Sequence, residues 1–221
     1  MNDKHKLLLV GAGAHSHVVI DILLQNEEYD IIGCLDYDYD ENHKRVVYGI
    51  PVIGNDEKLQ EIYKNGITKI HIALGDNKLR SKLFSIATAA GFEPVSIISR
   101  NAVISPRAII GRGTVIMPGA VINAGAEIGD NCIINTNCSI DHDCIIESHC
   151  HIAPGCALSG NVEVGEGTHI GTGSCVIDRI KIGAWSYIGA GSVVVKDIEP
   201  GILAYGNPAR KIREITKAGS V

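Results

Sequence analysis

Aromatic side chains are scarce in this chain, which has two phenylalanines, one tryptophan and seven tyrosines among its 221 residues. So few large rings are unusual for a globular core and are typical of a solenoid packed from aliphatic side chains. The chain also lacks a run of the ~18 apolar residues that a membrane-spanning helix requires. It has no block of basic residues, and its formal net charge is −5. Neither a nucleic-acid partner nor insertion in a membrane is therefore expected.

The seven cysteines form no Cys-X-X-Cys pair, their number is odd, and no secretory leader precedes the apolar residues at Leu7. Five of them recur at six-residue intervals, from Cys132 to Cys156, while Cys34 and Cys175 have no evident partner. A free cysteine packs as a small hydrophobic residue. The pattern therefore predicts reduced thiols in a cytoplasmic protein, rather than disulfides or a metal site.

A six-residue period dominates the second part of the sequence, where every sixth residue is aliphatic from Ile98 to Val194. Such a period is typical of a parallel β-helix, in which three hexads form one triangular coil. The residue two positions before each aliphatic residue must turn inward, and it is small in most hexads from Ala108 to Ser174. Glycine often follows the aliphatic residue, as at Gly165, and we expect it to supply unusual backbone angles at the corners.

The first 97 residues lack this period and alternate between β and α patterns. A buried strand at residues 6–10 leads through a glycine loop into a helix at about Ala14–Gln25. The other predicted elements are a strand at residues 31–35, a helix capped by Asp56 and ending at Lys64, a strand at residues 69–73, a helix from about Asn77 to Ala90, and a closing segment at residues 95–97. This alternation predicts a small parallel sheet with flanking helices, an α/β Rossmann-like domain.

Three loops of this domain are expected to meet at the carboxyl ends of its strands, where ligands bind in such sheets. They span residues 11–17, 36–39 and 75–77. Gly11 and Gly13 would present backbone amides at a helix N-terminus, which attracts phosphate, and Asp36 would accept hydrogen bonds from ribose hydroxyls. The fingerprint of dinucleotide binding is incomplete, because Ser16 stands at the third glycine position. A nucleotide site is predicted, and a tight strand-to-helix turn is the alternative.

The most distinctive polar cluster of the solenoid is the triplet Asp141, His142 and Asp143. It follows the aliphatic Ile140, so its side chains should point outward from a corner. Histidine is the usual general base near neutral pH, and an adjacent carboxylate can orient its ring. The sequence therefore makes this corner a candidate catalytic site, with a solvated polar corner as the alternative.

Other histidines of the solenoid offer a second hypothesis. His151 and His169 are separated by three hexads, one full coil, and should stack on successive coils. A zinc site like that of the hexapeptide-repeat carbonic anhydrases needs three converging histidines, and the spacing here does not reproduce that arrangement. We therefore predict no metal.

Taken together, these motifs resemble the bacterial nucleotide-sugar and sialic-acid acetyltransferases of the left-handed β-helix class, and most of all the UDP-4-amino-sugar and GDP-perosamine N-acetyltransferases. The resemblance spans nearly the whole chain. It rests on the segments 11–18, 48–54, 73–77, 135–143, 151–155 and 206–210. It implies a left-handed parallel β-helix at residues 98–199, a nucleotide-sugar-binding domain at residues 1–97, and a closing segment at residues 200–221.

The resemblance also implies roles for individual residues, with acetyl-CoA as the co-substrate. His142 would be the general base and Asp143 its orienting partner, although a glutamate is frequent in the family where Asp143 stands. The residues expected to hold the nucleotide are Gly11, Gly13, His15, Asp36 and Gly75. The residues expected around coenzyme A are Asn135, His151, Gly160, Gly173, Pro208 and Arg210.

The expected reaction is direct transfer of an acetyl group to the amine of a nucleotide-linked amino sugar. A sialic-acid-type O-acetyltransferase is the first alternative, and a non-catalytic nucleotide-sugar-binding scaffold is the second. A single solenoid leaves its flat faces partly apolar, so we predict a homotrimer with sites at its interfaces.

Overall fold

The computed structural model of the protein describes residues 4–26 and 28–215. The chain divides into two compact units, Met1–Ile97 and Ile98–Val221. Each unit has a core of its own, built from different sequence patterns.

The first unit is a six-stranded sheet with helices, as predicted for a Rossmann-like domain. Its elements are β1 (His5–Val10), α1 (Ala14–Gln25), β2 (Tyr29–Leu35), β3 (Val46–Val47), β4 (Ile50–Gly54), a 3-10 turn (Asp56–Lys58), α2 (Leu59–Lys64), β5 (Lys69–Ile72), α3 (Asn77–Ala89) and β6 (Glu93–Pro94). The strand order is β3-β4-β2-β1-β5-β6, and every pair is parallel except β3 with β4. The central strand β1 is buried from Leu7 to Val10, which explains its unbroken aliphatic run.

Most of the predicted elements of this unit are confirmed, and α1 has the predicted bounds. Three details differ. Asp56 does not cap a helix, because it is the first residue of the 3-10 turn that precedes α2. The cap of α3 is Asp76, whose carboxylate accepts a hydrogen bond of 2.7 Å from the amide of Leu79. The last strand lies at Glu93–Pro94, two residues before the predicted segment, because Glu93 pairs with Lys69 of β5.

The second unit is a left-handed parallel β-helix, as predicted. Its short strands are Ile97–Ile98, Val103–Ile104, Ile109–Ile110, Val115–Ile116, Val121–Ile122, Glu127–Ile128, Ile133–Ile134, Ser139–Ile140, Ile145–Ile146, His151–Ile152, Ala157–Leu158, Glu163–Val164, His169–Ile170, Cys175–Val176, Lys181–Ile182, Tyr187–Ile188 and Val193–Val194. Strands one coil apart pair in parallel, so that Val121 lies beside Ser139 and Ser139 beside Ala157. The chain closes with an antiparallel hairpin of Ile202–Gly206 and Ala209–Glu214.

The interior of the solenoid follows the two predicted columns. The aliphatic residues are buried from Ile116 to Val194, and the small residues two positions earlier are buried from Thr114 to Ser192. Five cysteines, from Cys132 to Cys156, occupy the small position as buried free thiols, as predicted. The thiol of Cys144, for example, donates to the carbonyl of Ser159 at 3.1 Å.

The prediction for the corner glycines is wrong in its physical reason. The glycines directly after the aliphatic residues do not have positive φ; the left-handed conformation falls two residues later in each hexad. That later position holds Gly113, Gly119, Gly125, Asn131, Asn137, Asp143, His149, Gly155, Asn161, Gly167, Gly173, Arg179, Trp185 and Gly191. The glycines after the aliphatic residues serve close packing instead, because a Cβ at Gly165 would lie 2.5 Å from the backbone nitrogen of Ala184 on the next coil.

Candidate active site

The corner that follows Ser139–Ile140 holds the predicted catalytic pair. His142 Nδ1 lies 2.9 Å from Asp143 Oδ2, so the shorter aspartate side chain does reach the ring. Asp143 occupies the left-handed position of its hexad, with φ of +56°. Its amide donates to the carbonyl of Ala124 on the preceding coil at 3.1 Å. The backbone bond and the conformation together fix the carboxylate beside the ring.

A second carboxylate holds the backbone of the same corner. Asp141 Oδ1 accepts hydrogen bonds from the amide of His142 at 2.8 Å and from Asn123 Nδ2 at 2.9 Å. These two bonds, the backbone one foremost, hold the pKa of the Asp141 carboxyl below its usual range. Sequence reasoning missed Asn123, although it precedes Asp141 by three hexads and so stacks on it.

Two glycines make room for the side chains of His142 and Asp143. A Cβ at Gly160, on the coil after His142, would lie 2.6 Å from both Cε1 and Nε2 of the imidazole. A Cβ at Gly125, on the coil before, would overlap Asp143 Oδ1. Gly160 was predicted to flank coenzyme A, and within this unit its contact is with the ring of His142. The imidazole therefore lies against the backbone of the next coil.

The electrostatics of the corner suit a general base. The hydrogen bond that the imidazole donates to Asp143 is the largest influence on the pKa of His142 and raises it. The charges of Asp141 and Asp143 also raise this pKa, while desolvation and the charge of Arg179 lower it. In the neutral ring, a proton on Nδ1 that is donated to Asp143 leaves Nε2 as the proton acceptor. The arrangement can take a proton from an incoming nucleophile at Nε2.

Three side-chain rings, those of His151, His169 and Tyr187, form a column on one sheet of the solenoid. The strand Ser139–Ile140, which precedes His142, belongs to a different sheet. His151 and His169 are stacked as predicted, with ring centroids 4.6 Å apart, and Tyr187 continues the column 4.4 Å from His169. Asn135 belongs to the same cluster, because its Nδ2 lies 3.1 Å from His151 Nε2. Sequence reasoning did not include Tyr187, although it stands one coil after His169, three hexads further along the chain.

The remaining residues predicted around coenzyme A are exposed. Gly173 has the left-handed conformation, with φ of +68°, and open space beside its Cα. Pro208 follows a cis peptide bond at the turn of the closing hairpin, and Arg210, the second residue of the returning strand, lies opposite Tyr205. Their place at the coenzyme stays a prediction.

In the first unit the glycine loop contacts Asp36 and the segment Ala73–Leu74, which directly precedes the third predicted loop. The amide of Gly11 donates to Leu35 at 2.7 Å, and that of Ala12 donates to Asp36 Oδ2 at 2.7 Å. Gly11 needs to be glycine, since its φ is +108° and a Cβ would lie 2.7 Å from the carbonyl oxygen of Ala73. Gly13 stands at the N-cap of α1.

Asp36 differs from its predicted role in one respect. Its carboxylate holds the glycine loop through the amide of Ala12, and its Oδ1 lies 3.4 Å from Arg45 Nη1. Arg45 also donates to the carbonyl of Ala12. Asp36 is thus engaged by protein groups at the edge of the loop, where its role toward a ribose stays a prediction.

A cluster of basic side chains lies beneath these loops. Arg80 is 1% exposed, and its Nη1 donates to the carbonyls of Leu74 at 3.1 Å and Gly75 at 3.3 Å. Burial, followed by the charges of His71 and Arg80, lowers the pKa of His15 to about 4. Burial also lowers the pKa of His71 to about 4, against the opposing effect of its bond to the carbonyl of Val95. Both rings are neutral at physiological pH, whereas Arg80 is charged.

Two sequence families match the chain. The family described as PglD N-terminal domain matches residues 6–87, and the family described as bacterial transferase hexapeptide (six repeats) matches residues 125–160. No curated protein matches the sequence. Among solved structures, a histidine-to-asparagine mutant of perosamine N-acetyltransferase from Caulobacter crescentus, in complex with CoA and GDP-perosamine, is 38% identical. That match covers 97% of this chain and 99% of that chain, with a TM-score of 0.91.

The chain belongs to the hexapeptide-repeat nucleotide-sugar acetyltransferases. The acetyltransferase domain of PglB from Neisseria gonorrhoeae, in complex with acetyl coenzyme A, is 37% identical to this acetyltransferase. That match covers 95% of this chain and 100% of that domain, with a TM-score of 0.87. WeeI from Acinetobacter baumannii is 25% identical over 95% of this chain and 100% of its own, with a TM-score of 0.82.

Two features are absent from residues 4–26 and 28–215 of this acetyltransferase. None of its helices there combines the length and the apolar character needed to cross a membrane. The same residues include no group of three His, Cys, Asp or Glu side chains placed to hold a metal ion.

Proposed function

We propose that this protein transfers the acetyl group of acetyl-CoA to the amino group of a nucleotide-linked amino sugar, with His142 as general base. The observation that carries the proposal is the His142–Asp143 pair, set in a chain that matches perosamine N-acetyltransferase over nearly its full length. The complex of that enzyme with CoA and GDP-perosamine supports the choice of substrates, a UDP-4-amino sugar or a GDP-perosamine-type sugar.

In the proposed reaction, His142 Nε2 accepts a proton from the sugar amine as the nitrogen attacks the acetyl carbonyl. Asp143 holds the ring through Nδ1 and stabilises the imidazolium that forms. The thiolate of coenzyme A then leaves as the tetrahedral carbon collapses, and the new amide bond remains on the sugar. General-base help of this kind is typically worth ~10²–10⁴-fold in rate.

We assign the two substrates to the two units. The loops at Gly11, Gly13, His15, Asp36 and Gly75 would hold the nucleotide, because they combine backbone amides at the start of α1 with buried basic groups. The domain at residues 1–97 would thus bind the nucleotide sugar, and residues 98–199 would carry out the acetyl transfer.

Acetyl-CoA would contact the solenoid and the closing segment at residues 200–221. The candidate residues are Asn135, His151, Gly160, Gly173, Pro208 and Arg210. The side chains of Asn135, His151 and Arg210 offer hydrogen bonds, a ring and a cation, which suit the amides and phosphates of coenzyme A. Residues 216–221 of this segment lie outside the described residues.

We further propose that the protein is a cytoplasmic homotrimer. Large aliphatic side chains on the solenoid surface support assembly, since Val103 is 64% exposed and Ile109 is 62% exposed. Burial of such side chains between three parallel columns would remove apolar surface from water. The seven cysteines are free, in keeping with a reducing compartment.

The test is an assay of thiol release from acetyl-CoA against UDP-4-amino sugars, GDP-perosamine, and free or CMP-linked sialic acids. Thiol release with an amino-sugar nucleotide, together with an N-acetylated product by mass spectrometry, is the expected result. Release with sialic acids alone would replace the proposal by O-acetyl transfer. If the protein binds the nucleotide but not coenzyme A, it acts as a scaffold instead.

A further inference from the structure

Arg80 is a charged residue of the first unit that the proposed chemistry does not use. It lies in the first turns of α3 and is 1% exposed. Removing a guanidinium from water is costly unless hydrogen bonds or an opposite charge compensate for it. Its Nη1 donates to two consecutive carbonyls, those of Leu74 and Gly75, in the loop after β5.

The loop that Arg80 holds is packed against the glycine loop. The space beside the Cα of Gly11 is closed by the carbonyl oxygen of Ala73 and a methyl group of Leu74. The amide of Ala73 also donates to the carbonyl of Val10 at 2.7 Å. A shift of residues 73–75 would therefore displace the backbone amides at Gly11 and Gly13.

Arg80 is also close enough to the glycine loop to act on it electrostatically. Its positive charge lowers the pKa of His15, the second residue of α1, after the larger effects of burial and of His71. Because His15 and His71 are neutral at physiological pH, Arg80 is the member of this basic cluster that is charged. A buried charge is weakly screened, so it acts at longer range than one on the surface.

We propose that Arg80 is the positioning residue of the phosphate side of the nucleotide pocket: it fixes the Leu74–Gly75 loop and adds positive potential behind the glycine loop. This proposal rests on the proposed function, since it assumes that the loops bind a nucleotide. It predicts that Arg80 acts on the diphosphate of the ligand and leaves the base and the sugar largely unaffected.

The experiment compares Arg80→Met, Arg80→Lys and the matched control Lys82→Met in the full-length protein. Lys82→Met removes one positive charge from the exposed side of the same helix. Binding of UDP, GDP, uridine and guanosine is measured by ligand-observed NMR, which detects weak complexes. Binding of acetyl-CoA reports on the solenoid in each variant.

The expected result for Arg80→Met is a loss of about 10–100-fold in nucleoside diphosphate affinity, the scale of one hydrogen bond to a charged group. Nucleoside and acetyl-CoA binding should change less than about twofold, and KM for the nucleotide sugar should rise more than kcat falls. Arg80→Lys should recover part of the loss because it keeps the charge. Lys82→Met should behave as the wild type.

Two results would overturn the role of Arg80. One is unchanged diphosphate affinity in Arg80→Met, and the other is an equal loss for diphosphates and nucleosides, which would show that Arg80 supports the whole pocket and not its phosphate side. If the wild-type protein binds neither UDP nor GDP, the nucleotide-sugar function fails as well. The two failures are therefore distinguishable.

Discussion

Replacing Gly160 by alanine should displace His142, the proposed general base, without unfolding the protein. The new Cβ would lie 2.6 Å from Cε1 and Nε2 of His142. Carbon atoms pack at about 3.5–4.0 Å, so the ring must retreat by about 1 Å. The ring can do so because the side chain of His142 is 55% exposed. The φ of Gly160 is not positive, so alanine fits the backbone and the free energy of unfolding should change by less than about 1 kcal/mol.

The effect on catalysis follows from the size of that displacement. A misplacement of about 1 Å can cost about 100-fold in rate, so kcat of Gly160→Ala should fall by about 10–100-fold. If the substitution at Gly160 acts only by moving the ring of His142, its loss of kcat cannot exceed the loss of kcat in His142→Ala. In the His142→Ala background, alanine at position 160 should therefore have no further effect, a coupling that a double-mutant cycle measures directly.

The assay is steady-state thiol release with the accepted amino-sugar nucleotide, together with thermal unfolding. Ala190→Ser is the control, because it adds one heavy atom at the same hexad position on an exposed corner. It should leave kcat unchanged. An undiminished kcat in Gly160→Ala, or an equal loss with and without His142, would refute the argument that this glycine seats the ring.

Three further predictions follow from the structure. Asp143→Asn should shift the acid limb of the pH profile of kcat to lower pH, since the hydrogen bond that His142 donates to Asp143 raises the pKa of His142; an unmoved limb would show that another group titrates. The free energy of unfolding, measured with urea, should be constant above the ordinary histidine pKa of 6.5 and fall as the pH drops toward 4. Burial lowers the pKa of both His15 and His71 to about 4, so the unfolded chain takes up these protons at a higher pH than the folded protein does. Each pKa shift corresponds to about 3 kcal/mol in the free energy of unfolding, and the two contributions add to less than their sum because His71 contributes to the shift of His15. A free energy of unfolding that does not change between pH 6.5 and 4 would contradict the burial of neutral rings. Gly165→Ala should destabilise the solenoid by about 1–3 kcal/mol through backbone overpacking, and an unchanged thermal unfolding temperature would contradict the close approach of Ala184 to this glycine.

The repeating part of the fold was predictable because its period is a local property of the sequence. The six-residue spacing placed the aliphatic column and the small column, including the cysteines, in the correct positions. The bounds of α1 followed from a strand, a glycine loop and an apolar face. His142 and Asp143 were found because they are adjacent in sequence and lie at a corner.

What the sequence did not reveal depends on contacts between coils or between loops. The left-handed position of each hexad was misplaced by two residues, because glycine serves close packing at one position and backbone conformation at the other. Two contacts between successive coils were also missed, that of Gly160 with His142 and that of Asn123 with Asp141. Finding them requires comparing side chains that are 18 residues apart, in addition to pairing the strands. The burial of Arg80 depends on the packing of α3 against the loops, which no local pattern encodes.

In the proposed reaction, His142 removes the proton from an amine as it attacks acetyl-CoA. The measurement that tests it most directly is kcat of His142→Ala with the accepted amino-sugar nucleotide, with binding of acetyl-CoA measured in parallel. We expect kcat to fall by at least about 100-fold, on the scale of general-base catalysis, with acetyl-CoA still bound. An unchanged kcat would contradict it and remove His142 from the reaction.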